Sequence, residues 1–174
     1  MITVISGTIR PKNKTLLVAN YYVEELKKKG QQVELLNIQD LPTDFVFNNE
    51  TMGNKTPEFR QIVEKYIIPA SKYVVISPEY NGSFPGALKA FFDGVDPDDF
   101  RGKKVALVGV ASGRSGNARG MDQLTTIYNY SLMPVLPYKV NIPAIYAVVN
   151  EEGEVHDEKV KAMLDKQMEM LIEF

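Results

Sequence analysis

Apolar residues along this chain follow two alternating patterns. Ile2–Ile5, Val33–Ile38, Tyr73–Ser77 and Val105–Val110 are short, nearly unbroken runs rich in β-branched and aromatic residues. Such runs suit strands buried on both faces of a parallel sheet. Between them, apolar positions recur every three to four residues, the period of an amphipathic helix. The faces are Leu16, Ala19, Val23 and Leu26; Phe59, Ile62, Val63, Tyr66 and Ile67; Met121, Leu124, Ile127 and Tyr128; and Val160, Met163, Leu164, Met168, Leu171 and Ile172. A further helix is expected over 84–95, around the amphipathic segment Ala87–Phe92.

End signals agree with these elements. Thr56-Pro57 is an N-cap followed by proline at the first helical position, and Asp157 caps the last helix. Lys27-Lys28-Lys29-Gly30 places cations and a glycine where a helix C-terminus favours them. Met133–Val140, broken by Pro134 and Pro137, is expected as an edge strand, with Ile145–Val149 continuing it after a crossover. Asp40–Lys55 shows no period and holds Phe45, Phe47 and Met52, so it reads as a functional loop; Asp96–Lys104 reads as a polar turn. Strands alternate with helices and there are no repeats or linkers. The expectation is one α/β domain over 1–174, a doubly wound parallel sheet.

Composition narrows the function classes. Twenty-two acidic residues against twenty basic ones leave a net charge of −2, so no global electrostatic case for nucleic acid or an anionic membrane exists. The absence of cysteine excludes disulfides, thiolate catalysis and Cys-ligated metals. The N-terminal Met1–Ser6 reads as a first strand and not as a signal peptide, and no run approaches transmembrane length, so a cytoplasmic location is expected. His156 is the only histidine, and among Glu154, Asp157 and Glu158 it reads as a surface residue at a helix start. Asp96, Asp98 and Asp99 read as a solvated turn, and no Gly-x-Ser-x-Gly elbow occurs.

Candidate chemistry lies in three loops that follow strands, where open parallel sheets bind ligands. After the first strand, Thr8, Arg10, Asn13, Lys14 and Thr15 set hydroxyls, an amide and two cations before a helix N-terminus, a favourable place for phosphate. The same residues also fit a plain cap and turn with solvated cations, and the two readings weigh about equally. The loop is neither a Walker A motif nor Gly-x-Gly-x-x-Gly. After the third strand, Pro78, Glu79, Tyr80, Asn81, Gly82 and Ser83 offer a ring, an amide, a hydroxyl and close backbone approach, a set suited to a flat heterocycle. The third loop, with Ser112, Gly113 and Arg114, is weaker, and a lone arginine there is expected to face solvent.

Two blocks, Ser6-Gly7-Thr8-Ile9-Arg10 and Pro78-Glu79-Tyr80-Asn81-Gly82-Ser83-Phe84-Pro85-Gly86-Ala87-Leu88-Lys89, resemble the NAD(P)H-dependent FMN reductase family of flavin, quinone, azo-dye and chromate reductases. The likeness covers nearly the whole chain in motif order. It implies a flavodoxin-like fold: five parallel strands in the order 2-1-3-4-5 within three α/β/α layers. It also implies that Thr8, Arg10 and Asn13–Thr15 hold the FMN phosphate. Pro78–Ser83 would line the isoalloxazine, with Tyr80 beside the ring and Asn81 at its polar edge. Ser112, Gly113 and Arg114 would border the pyrimidine end, and Glu79 would brace the loop or meet a second subunit. Two departures stand out. Asn13 and Lys14 occupy a turn that is usually serine-rich, and Ser112-Gly113 replaces paired glycines.

The resulting expectation is an oxidoreductase that moves a hydride from NADPH or NADH to FMN and then electrons to a small-molecule acceptor: a flavin, quinone, azo compound or similar. No catalytic side chain is expected, because the cofactor carries the chemistry. The family implies a homodimer or homotetramer. The rivals are a flavodoxin-like electron carrier and a binding module without cofactor.

Overall fold

The computed structural model describes residues 1–48 and 53–174. Five strands, β1 (Ile2–Ser6), β2 (Val33–Asn37), β3 (Lys72–Pro78), β4 (Lys104–Val110) and β5 (Val140–Ile142), form one all-parallel sheet in the order β2-β1-β3-β4-β5. This is the flavodoxin-like order expected from the sequence. Successive side chains on a strand point to opposite faces, and that alternation builds two cores. Ile2, Val4, Val74, Ile76, Ala106 and Val108 face helices α1 (Lys14–Lys28) and α8 (Glu158–Glu173). Ile5, Tyr73, Val75, Val105 and Leu107 face α3 (Pro57–Ile62), α4 (Gly86–Gly94) and α6 (Ala118–Tyr130) on the other side.

The caps act as expected. Thr56 accepts from Phe59 N, Asp157 accepts from Lys159 N and Val160 N, and Gly30 takes φ +75° after α1. Leu16, however, is only half-buried; Val18 and Tyr22 complete the inner face of α1. The stripe from Phe59 to Ile67 is α-helical only to Ile62. Val63–Ile67 is a π-helical turn, and the buried Thr3 hydroxyl of β1 donates to the Tyr66 carbonyl at 2.6 Å, satisfying an acceptor within the widened turn.

Five expected stretches differ. Phe45–Asn48 is a short helix, α2, whose Phe45 is buried against Phe59; Phe47 is exposed, and Met52 lies outside the described residues. The 84–95 helix begins at Gly86, after Pro85. Within Asp96–Lys104, Asp96 caps a helical turn, α5 (Pro97–Phe100), that buries Phe100. Met133–Val140 is not a strand: Val135 makes one isolated bridge to Val105, and only Val140–Ile142 pairs as β5. The prolines on either side of Val135 supply no N–H for a ladder. Gln167 of α8 compensates, donating from Nε2 to the Leu107 and Tyr138 carbonyls at 3.0 and 2.8 Å. Ile145–Val148 forms a single helical turn, α7, in place of a continued strand.

Candidate functional site

The carboxyl ends of β1, β3 and β4 lie side by side, so their three following loops converge. The first loop leaves β1 through Gly7. A Cβ at that position would sit 2.9 Å from the Ile76 carbonyl, so glycine lets the loop cross close over β3. Thr8 is fully buried: its Oγ1 accepts from Arg10 N at 3.1 Å and shares a 2.6 Å hydrogen bond with the Tyr80 phenol. Asn13 caps α1, accepting from Leu16 N at 2.7 Å and donating to the Arg10 carbonyl at 2.6 Å. Its amide is therefore spent within the loop. The leading N–H groups of Lys14 and Thr15 have no intrahelical acceptor and remain for a ligand. The Thr15 side chain is buried beneath them. Lys14 extends its ammonium to the Asn150 carbonyl at 3.0 Å and the Glu151 carboxylate at 2.7 Å. Arg10 is exposed, and among the described residues no carboxylate pairs with it.

The second loop contains a turn whose geometry the Asn-Gly pair dictates. Tyr80 N donates to Ser83 O at 2.8 Å and Ser83 N to Tyr80 O at 3.0 Å, while Asn81 and Gly82 take φ +53° and +77°. Positive φ at both central residues marks a type I′ turn. Among the described residues neither central N–H has a backbone acceptor, so both are available to a ligand. Ser83 directs its hydroxyl to Gln123 of α6 and not to the cleft.

The third loop is anchored to the second. Ser115 Oγ donates to Glu79 Oε2 at 2.6 Å, and Arg119 lies 3.9 Å from the same carboxylate. Beneath them, Asn117 is fully buried in the left-handed conformation, φ +65°. Its Nδ2 donates to the Ser77 and Pro78 carbonyls, each at 3.0 Å, while its Oδ1 is buried with no protein partner. Ser112, Gly113 and Arg114 are exposed on this scaffold.

A cleft of about 300 Å³ runs between the loops. Arg10, Asn13, Lys14 and Thr15 line one side; Pro78, Glu79 and Tyr80 line the other, with Ser112 at the end. Thr8 lies below, and Asn81, Gly82, Ser83, Gly113 and Arg114 stand outside this lining. Besides Pro11, Lys12, Val110 and Ala111, which adjoin the expected site residues in sequence, two lining residues from a separate element escaped the sequence reading, Ile145 and Tyr146 of α7. Their apolar run suggested a strand, and a single helical turn leaves no period to detect. Asn117 was also missed, although an Asn between Gly and a helix is a cap signal. A larger hollow of about 620 Å³ lies between α1 and residues 152–156. Its walls carry acids and bases together, Glu24, Glu25 and Glu154 with Lys28 and Lys161, and it shares no lining residue with the cleft.

Comparison with known proteins agrees with this geometry. The profile of the family described as NADPH-dependent FMN reductase matches residues 1–147. The chain belongs to that family. It is an FMN-dependent oxidoreductase that uses a reduced nicotinamide. The reductase is 27% identical over 162 residues to an NADPH azoreductase of Bacillus sp. (strain OY1-2), covering 90% of this chain and 86% of that protein. It is 27% identical over 146 residues to an NAD(P)H-dependent FMN reductase of Pseudomonas aeruginosa, covering 82% and 77%. The flavoenzyme NAD(P)H:(acceptor) oxidoreductase of Paracoccus denitrificans has the same fold, with a TM-score of 0.78 at 21% identity over 99% of this chain and 94% of that one.

The donor set fits FMN. A helix N-terminus with two free N–H groups and an unpaired Arg10 suits a phosphate. Gly113 has neither a positive φ nor any atom within 4 Å of its Cβ position, so packing does not demand glycine there. Among the described residues no helix is long and apolar enough to cross a membrane, and no group of three or more His, Cys, Asp or Glu could hold a metal.

Proposed function

We propose that the cleft grips the FMN phosphate at Arg10 and the Lys14 and Thr15 N–H groups. The isoalloxazine then lies along the Tyr80–Ser83 turn toward Ser112–Arg114. The observation that carries this reading is an anion site on a cleft whose opposite wall ends, at Tyr80, in a hydrogen-bonded, donor-bearing turn. Bound FMN would take a hydride from NADPH or NADH and return electrons to a second substrate. The protein's part is to orient and to stabilise charge. The N–H groups of Asn81 and Gly82, without backbone acceptors among the described residues, would serve as donors to negative charge on a reduced ring. The Thr8–Tyr80 hydrogen bond holds the phosphate and ring loops in one register. No side chain is assigned to proton transfer.

The acceptor we propose is a small planar one, a quinone, azo compound or free flavin, which suits a ring site bordered by a turn that is only partly buried. Residues 1–174 are read as a single unit, since α8 packs back on the sheet through Leu164 and Met168. A homodimer or homotetramer is supported by Val46 and Phe47 of α2, 48% and 87% exposed. A cytoplasmic location belongs to the same proposal, because reduced nicotinamide is the co-substrate.

Flavin fluorescence titration followed by anaerobic stopped-flow mixing with NADPH or NADH tests the proposal. The expected result is FMN binding and rapid bleaching of the bound flavin. Bleaching no faster than that of free FMN would leave an electron carrier, and no FMN binding would end the reading altogether.

A further inference from the structure

Lys14 stands at the phosphate end of the cleft, yet its ammonium is already occupied. The partner is a tongue built from residues 149–155, which follows α7. Val149 bridges antiparallel to Val155. Asn150 locks the turn, accepting from Glu154 N through Oδ1 at 2.8 Å and donating from Nδ2 to Glu154 Oε2 at 2.9 Å. Gly153 takes φ +87° and lies against α1, with its Cβ position 3.5 Å from Leu17 Cδ2. Lys14 is one helical turn before Leu17, on the same face of α1. The tongue therefore rests on both residues and delivers two acceptors to Lys14, the Asn150 carbonyl at 3.0 Å and Glu151 Oε1 at 2.7 Å.

The pair is asymmetric. The Lys14 side chain is 9% exposed and that of Glu151 is 87% exposed. Among the described residues Glu151 has no other partner, so only Lys14 holds it. An exposed carboxylate in such a pair is released at little cost. The bond to Asn150 O would keep the ammonium at the cleft after Glu151 left.

Resting on the FMN reading above, we infer that Glu151 is an internal counter-ion that competes with the cofactor phosphate for Lys14. It thereby sets how strongly the protein prefers FMN over riboflavin. A flavin phosphate carries more negative charge than one carboxylate and displaces it, but must first break the pair. Riboflavin has no phosphate and leaves Glu151 in place. The chain thus lowers its own affinity for the phosphorylated flavin, which favours exchange of the cofactor.

The test is a titration of wild type and Glu151→Gln with FMN and with riboflavin, read by flavin fluorescence quenching at low ionic strength. The expected result is FMN affinity higher by about two- to fivefold in Glu151→Gln, unchanged riboflavin affinity, and a gain that shrinks at high salt. In a Lys14→Met background the same substitution should leave FMN affinity unchanged. An unaltered or weaker FMN affinity in Glu151→Gln overturns the inference, as does an equal gain for riboflavin or a gain that survives Lys14→Met. A wild type that favours FMN beside an indifferent Glu151→Gln removes only the counter-ion. A wild type that binds neither flavin removes the cofactor reading and this inference together.

Discussion

The Thr8 hydroxyl and the Tyr80 phenol, 72 residues apart in sequence, meet at 2.6 Å beneath the cleft. Thr8 also accepts from Arg10 N, so one buried oxygen joins the backbone of the first loop to the aromatic head of the second loop. A displacement of either loop is thus felt by the other. Tyr80→Phe should weaken FMN binding by about fivefold, the worth of one neutral hydrogen bond near 1 kcal/mol, without loss of the fold. Fluorescence titration beside a urea melt checks this. Unchanged affinity would mean that the two loops are ordered independently.

Arg10 lines the proposed phosphate site, and among the described residues no carboxylate pairs with it. Arg10→Ala should weaken FMN binding by about tenfold, at the low end of a charge-assisted hydrogen bond because the guanidinium is solvated. Riboflavin affinity should hardly change. Equal losses for both flavins would move Arg10 from the phosphate to the ring.

Much of this architecture was legible in the sequence, for identifiable reasons. Strands buried on both faces leave continuous apolar runs, and Asn13, Thr56 and Asp157 are caps whose chemistry is local. Segments whose partners are distant were read less well. Met133–Val140, expected as an edge strand, is not one, and nothing local pointed to Gln167, 60 residues beyond Leu107, as the replacement donor. In the expected site, several side chains are engaged by neighbours within the protein. Asn13 is consumed as a cap, Ser83 turns to Gln123, and Lys14 turns to Glu151. A side chain's direction depends on neighbours that a motif does not contain. The type I′ turn was legible, since Asn-Gly flanked by β-formers is its usual signal.

Gln167 makes a prediction about the fold alone. Gln167→Leu keeps the volume but strips two buried carbonyls, Leu107 O and Tyr138 O, and the Tyr22 phenol of partners. A loss of about 2–4 kcal/mol is expected, since each buried group left unsatisfied costs roughly 1–3 kcal/mol. Urea denaturation measures it. A loss below about 0.5 kcal/mol, the size of an ordinary surface change, would mean that water reaches those carbonyls.

Asn117 combines two demands, a left-handed backbone and an amide for the Ser77 and Pro78 carbonyls. Asn117→Ala loses both, and about 1–3 kcal/mol of stability should go with the amide. Asn117→Gly loses the amide but relieves the backbone, so it should be the more stable of the two by about 1 kcal/mol. Equal midpoints for the two variants would show that the helix start relaxes out of the left-handed region.

Two glycines separate packing from ligand approach. A Cβ at Gly109 would run into the Gly116 carbonyl, with Met121 and Asn141 also close, so Gly109→Ala should destabilise the protein whether or not flavin is present. Gly113 has open space around its Cβ position and an ordinary φ, so Gly113→Ala should leave the flavin-free protein within about 0.5 kcal/mol of wild type. If a ring lies against the Ser112–Arg114 backbone, the added methyl group must meet it, and affinity for FMN and riboflavin should fall together. The common fall distinguishes this site from Arg10, where only the phosphorylated flavin is expected to suffer. Thermal melts of the flavin-free protein and parallel titrations of both flavins decide the matter. Full flavin affinity in Gly113→Ala would place the ring away from the third loop.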